Sequence, residues 1–145
     1  MLELIRELID NINLACCGDD CSYCPRYHLN LKNTKKDLTK IATLFMKVGW
    51  RENIEPVETI RCMGCDQFNG ICEYNIRECC LEKRIKNCGI CEDYPCYRVK
   101  KAFKITKENT EKFKTILSKE DYDIFNKAFF QKKENLENIG KDHKY

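Results

Sequence analysis

Twelve cysteines are the residues of this chain whose type and spacing point to chemistry. Six form three C-x-x-C pairs, Cys21/Cys24, Cys62/Cys65 and Cys88/Cys91; Cys16, Cys17, Cys72, Cys79, Cys80 and Cys96 stand around them. Two thiolates separated by two residues reach one metal ion from a single tight turn, and four close a tetrahedron around zinc. One such pair is a weak signal; three in 145 residues are a strong one. The first reading is therefore a metal-stapled protein.

Disulfides are the rival use of an even cysteine count, and they need an oxidising compartment. The opening MLELIRELIDNINLACC carries Glu3, Glu7 and Asp10. It shows no basic leader, no continuous apolar stretch and no small-residue cleavage site. No run approaches the length of a membrane span. The expectation is a cytoplasmic chain with reduced thiols and no membrane partner. The formal charge is +3 with cysteines neutral. Each zinc held by four thiolates adds a net two negative charges, so two sites carry the chain to about −1. The electrostatic case for nucleic acid then falls away, and acidic residues flank the basic runs KRIKNC and YRVKKAFK.

Hydrolytic chemistry finds no support. There are two histidines, and no H-E-x-x-H, G-x-S-x-G, P-loop or G-x-G-x-x-G motif occurs. Closed four-thiolate sites offer no open coordination position, so they act as structural metal. The expected role is a binding or adaptor module with an unidentified protein partner. The alternative is an iron–sulfur or thiol-redox protein that handles metal or sulfur, for which adjacent Cys16-Cys17 and Cys79-Cys80 would serve as exchange groups.

The elements around the cysteines read as helices, giving a mainly α fold of about five helices with irregular knuckles. Leu2, Ile5, Leu8, Ile9 and Ile12 recur at helical spacing. Thr34 or Asp37 starts a second helix, with Leu38, Ile41, Ala42, Phe45 and Val48 as its buried stripe and Gly49 as its stop. Trp50 covers the core. Pro56 opens a short helical turn. Asn75 to Glu78 reads as a capping box for a helix running to about Asn87. Asp93 or Tyr94 starts the next helix with Pro95 in its first turn, which puts Cys96 near a helix N-terminus. Phe113, Ile116 and Leu117 define a further helix, and Ser118 starts another with Tyr122, Phe125 and Phe129 as an aromatic core stripe. The final ENIGKDHKY reads as frayed. The whole is one domain, 1–145, with a cysteine core over residues 15–100 and a helical extension over 101–140.

A larger pattern joins these pieces. Cys17-Gly18-x-x-Cys21-x-x-Cys24-Pro25 is followed by Cys62-x-Gly64-Cys65 and Cys72. Ile76-Arg77-x-Cys79 comes next, and then Asn87-Cys88-x-x-Cys91-x-x-Tyr94-Pro95-Cys96. Over residues 15–100 this resembles the prokaryotic cysteine-rich domain-of-unknown-function family 3795. The resemblance implies a small intracellular metal-binding protein without an established activity. The chain departs from the family at Asn75, where many members carry another cysteine, and it adds Cys16 and Cys80. Those two are the least expected ligands. The expected set is Cys17, Cys21, Cys24, Cys62, Cys65, Cys72, Cys79, Cys88, Cys91 and Cys96.

Ten thiols fill two four-thiolate zinc sites with two to spare, or one such site and a six-cysteine cluster of two metals. A [4Fe-4S] cluster is the alternative cofactor, since four cysteines hold a cubane as well as zinc. Cys17, Cys21 and Cys24 are one ligand short, so the N-terminal knuckle is expected to share a site with the central stretch. His28 reads as a partly exposed histidine rather than the missing ligand.

Overall fold

The computed structural model describes residues 14–27, 34–64 and 72–143. The helix expected at the N-terminus, His28, Cys65 and the loop at 66–70 lie outside the described residues. Among the described residues the protein is helical, with two isolated β-bridges, Leu14–Asp20 and Tyr27–Cys62, and no strand.

Helix α1 spans Lys35–Lys47. Thr34 caps it in a reciprocal box: its hydroxyl accepts the Asp37 N–H at 3.2 Å, and Asp37 accepts the Thr34 N–H at 3.3 Å. Leu38, Ile41, Ala42 and Phe45 are buried, as their spacing requires. Gly49, at φ +86°, ends the helix in a Schellman turn. The Gly49 N–H donates to the Met46 carbonyl at 3.1 Å and the Trp50 N–H to the Phe45 carbonyl at 2.9 Å. The Phe45 and Trp50 rings then meet edge-on at 5.1 Å, the apolar contact that accompanies this motif. Short α2 (Val57–Ile60) follows Pro56, which occupies the cap position.

Helix α3 is Ile76–Lys83 and departs from expectation at both ends. Asn75 sits at φ 60° and its side chain makes no capping bond; Glu78 pairs instead with Arg77 at 3.0 Å. The helix stops at Lys83 rather than near Asn87, because Arg84 turns left-handed at φ 58°. The Ile85 N–H then reaches back to the Cys80 carbonyl at 3.0 Å. A non-glycine residue in this conformation carries no glycine signal in the sequence.

Helix α4 (Tyr97–Ile116) is one continuous element where two were expected. It begins at Cys96 rather than at Asp93 or Tyr94, and Pro95 lies before it, after a cis Tyr94–Pro95 bond. Helix α5 (Lys119–Phe129) is capped by Ser118, whose hydroxyl accepts the Asp121 N–H at 3.2 Å. Helix α6 (Lys132–His143) replaces the frayed end that ENIGKDHKY suggested. Leu136 within it is fully buried, so tertiary packing rather than local pattern holds it.

At 20 residues, α4 is about 30 Å long and runs through two separate clusters. Its far half puts Phe113 into an aliphatic and aromatic core with α1, α2 and α5, where Trp50 packs 5.3 Å from Phe125. Its near half puts Val99 and Ala102 among Cys16, Ile76, Cys80, Cys88 and Leu136. The two clusters are unequal. Phe45, Phe113, Phe125, Leu38, Ile41 and Ile60 are the large apolar side chains fully buried in the first; Ile76, Val99 and Leu136 are those in the second. At about 1.5–3 kcal/mol for each such side chain, the cysteine half holds itself together with far less apolar burial.

Candidate metal centre

Two of the C-x-x-C pairs fold alike. Asp20 precedes Cys21 and its carboxylate accepts the Ser22 N–H at 3.0 Å; Asn87 precedes Cys88 and its side-chain oxygen accepts the Gly89 N–H at 2.9 Å. Each pair is a 3-10 turn closed by a backbone bond, Cys24 N–H to Cys21 carbonyl at 3.1 Å and Cys91 N–H to Cys88 carbonyl at 3.2 Å. Each is followed three residues later by a tyrosine whose N–H returns to the second cysteine, Tyr27 to Cys24 at 3.1 Å and Tyr94 to Cys91 at 3.2 Å. The internal repeat is thus Asx-C-x-x-C-x-x-Tyr, longer than the bare C-x-x-C, and its flanking residues were a signal present in the sequence.

The first turn is brought to the central stretch by backbone. The Cys62 N–H donates to the Arg26 carbonyl at 2.6 Å, and Tyr27 and Cys62 form a parallel bridge. Arg26 braces this junction from the other side, its Nε donating to the Ile60 carbonyl at 2.8 Å while its guanidinium lies over Phe45. Cys21, Cys24 and Cys62 are consequently electrostatic neighbours. Burial, then the charges of Cys24, Asp19 and Cys62, push the Cys21 thiol well up. Burial likewise pushes Cys24 up to about 12, with a backbone hydrogen bond from Arg26 pulling it back and Cys62 adding to the rise. Cys24 and Cys62 thus both disfavour a bare thiolate at Cys21, and Cys62 does so at Cys24, a crowding of sulfur that a cation would relieve. Cys65, the fourth thiol of these two pairs, lies outside the described residues.

Cys17 takes a different side of its knuckle. Burial raises its pKa, and Asp19 raises it further, with Cys72 among its neighbours. Asp19 pairs with buried Lys132 of α6 at 2.6 Å, and the same ammonium donates to the Phe129 carbonyl at 2.7 Å. Cys72 and Cys96 pack against the cysteine cluster, and Cys96 is the N-cap residue of α4. Cys79 is half-buried on α3.

Cys80 and Cys16, the two thiols least expected as ligands, are among the most buried, at 1% and 7% exposure. The Cys80 and Cys88 sulfurs stand 3.7 Å apart. Hydrogen bonds to Cys16 first and to Cys88 second keep the proton on Cys80, and the bond from Cys80 lowers the Cys88 thiol. The Cys88 N–H donates to the Cys16 carbonyl at 3.0 Å, closing the trio. The left-handed turn at Arg84 is what returns the chain to Cys80 within eight residues. Cys91 receives the Lys83 ammonium at 3.3 Å, and Lys83 also pairs with Asp93 at 2.6 Å. No disulfide joins any two of the eleven described cysteines. Among the described residues no three histidine, cysteine, aspartate or glutamate side chains already converge tightly enough to hold an ion. No described helix is long and apolar enough to cross a membrane.

Helix α6 packs on the second turn and on Gly18, ahead of the first. The Asn135 side chain donates to the Gly18 carbonyl at 2.9 Å. A Cβ on Gly89 would stand 2.7 Å from the Leu136 carbonyl, so only glycine admits the helix there.

The sequence model of a family described as a protein of unknown function (DUF3795) matches residues 13–101, a span that contains all twelve cysteines. No curated protein and no solved structure matches the chain.

Proposed function

The chain belongs to this family, and from that premise we propose that it is a zinc-binding protein whose metal is structural. Cys21, Cys24, Cys62 and Cys65 form the first site. The observation that carries the reading is the Cys62 N–H to Arg26 carbonyl bond of 2.6 Å, which lays the start of the second C-x-x-C pair beside the first. Thiolates from two such turns are the usual donor set of a closed tetrahedral zinc. The weak apolar burial of the cysteine half supports the same reading, since small cores short of hydrophobic burial are commonly completed by a structural metal.

A closed site leaves the ion no position for substrate, so the metal supplies rigidity, and the function is binding or adaptor work by the surface it holds in place. Elemental analysis of anaerobically purified protein tests this directly. Zinc is expected, with at least one ion per chain lost on Cys21→Ser. Stoichiometric iron with the broad visible absorption of a cluster would assign the same thiols to a [4Fe-4S] centre instead.

A further inference from the structure

We infer that Cys16, Cys80, Cys88 and Cys91 form a second metal site, built on two cysteines that stand outside the C-x-x-C pairs. The inference rests on the reading of the protein as a zinc binder, but on different residues.

Distance is the first argument. Two thiolates bound to one zinc at 2.3 Å and at the tetrahedral angle stand about 3.8 Å apart. The Cys80 and Cys88 sulfurs are 3.7 Å apart, a tetrahedral edge already in place. A disulfide would need them at about 2 Å. Cys16 borders both, its side chain hydrogen-bonded to Cys80 and its carbonyl accepting the Cys88 N–H, and the ion would draw its sulfur in to the third corner.

Helix α3 supplies the fourth. Cys80 and Lys83 are three residues apart and share one helix face. Cys80 meets Cys88, and Lys83 Nζ meets the Cys91 sulfur at 3.3 Å. One face of α3 therefore runs along the whole C-x-x-C turn and touches both of its thiols. The turn geometry is the one that lets both reach a single ion.

Charge is consistent. Zinc replaces the four thiol protons, which leave to solvent, and the resulting site carries two negative charges. Lys83, at the solvent edge, sets an ammonium against one of the four sulfurs, as outer-shell donors do at metal sites. Helix α6 closes the other side, with the Leu136 carbonyl and Ile139 against Gly89.

The experiment is a zinc count on full-length protein purified anaerobically, with cobalt substitution as a second readout of thiolate coordination. Cys80→Ser and Cys91→Ser are each expected to lose one zinc, the double variant no more than that one, and Cys21→Ser a different one. Cys21→Ser/Cys91→Ser then loses two. Cys91 is partly exposed, so its variant carries the test even where Cys80→Ser does not fold. Wild-type zinc content in Cys91→Ser, with loss in Cys21→Ser, overturns the second site and leaves the first standing. Loss in Cys91→Ser alone overturns the first and leaves the second. Wild-type protein without metal overturns both.

Discussion

Gly18 and Leu136 are in such close approach that a methyl group on the glycine would sit 2.8 Å from Leu136 Cγ and 2.6 Å from the Lys132 carbonyl. The contact joins the first cysteine knuckle to α6, over a hundred residues away. It works because Gly18 also takes φ +94°, where a side chain is strained in any case.

Gly18→Ala should therefore cost about 2–4 kcal/mol, combining left-handed strain with overpacking. Gly49 is the matched control: its φ is +86°, but nothing lies within 4 Å of an added Cβ. Gly49→Ala should cost about 1 kcal/mol, from strain alone. Urea unfolding of both variants measures the difference; equal losses would show that the α6 contact contributes nothing.

Leu136→Ala should cost about 3 kcal/mol, because the side chain is fully buried. Its carbonyl faces Gly89 in the second turn and its side chain faces Gly18, ahead of the first. The variant should accordingly release zinc to a chelator faster than wild type at a temperature where both remain folded. An unchanged release rate would separate α6 from the metal sites.

What the sequence disclosed and what it withheld divide along a physical line. Helix α1 was readable because every determinant is local: the Thr34 cap, the Leu38–Ile41–Phe45 stripe and the Gly49 stop. Helix α6 was not, because its residues are mostly polar and what holds it, at Gly18 and Gly89, is distant in the chain. The expected capping box at Asn75 failed because the chain enters α3 in a left-handed conformation that the motif does not reveal. The knuckles themselves were evident from C-x-x-C, and Asp20, Asn87, Tyr27 and Tyr94 repeat around them. The nearness of Cys80 to Cys88 was hidden, since it depends on Arg84 turning the chain without a glycine.

Lys132→Met should destabilise the fold by about 3 kcal/mol, since it leaves the Asp19 carboxylate, 24% exposed in its side chain, without its ammonium. Burial raises the Asp19 pKa, and Lys132 opposes that rise. Without Lys132 the folded value moves higher above the unfolded one, so the ionised form is penalised at neutral pH. That penalty fades as pH falls through the folded pKa and the carboxyl protonates. Adding Asp19→Asn should recover much of the loss, and a double-mutant cycle checks it; strict additivity would mean that the pair is not coupled.

Zinc removal should be felt at Trp50, the sole tryptophan, although it sits in the aromatic cluster with Phe45, Phe113 and Phe125 and away from the cysteine half. The reason is mechanical. Helix α4 carries Val99 and Ala102 in one cluster and Phe113 in the other, with no break between. Arg26 adds a second tie, holding the Ile60 carbonyl at 2.8 Å while its backbone carbonyl receives Cys62. A chain whose cysteine half has lost its metal loses binding free energy that is folding free energy. Unable to fray at α4 without disturbing Phe113, it should unfold both halves together. The expected result is a single thermal transition in Trp50 fluorescence, moved several degrees lower by chelator and restored by added zinc. In cobalt-loaded protein, the thiolate absorbance should be lost over the same temperatures as the Trp50 signal changes. A Trp50 transition indifferent to chelator would mean that α4 does not couple the two clusters.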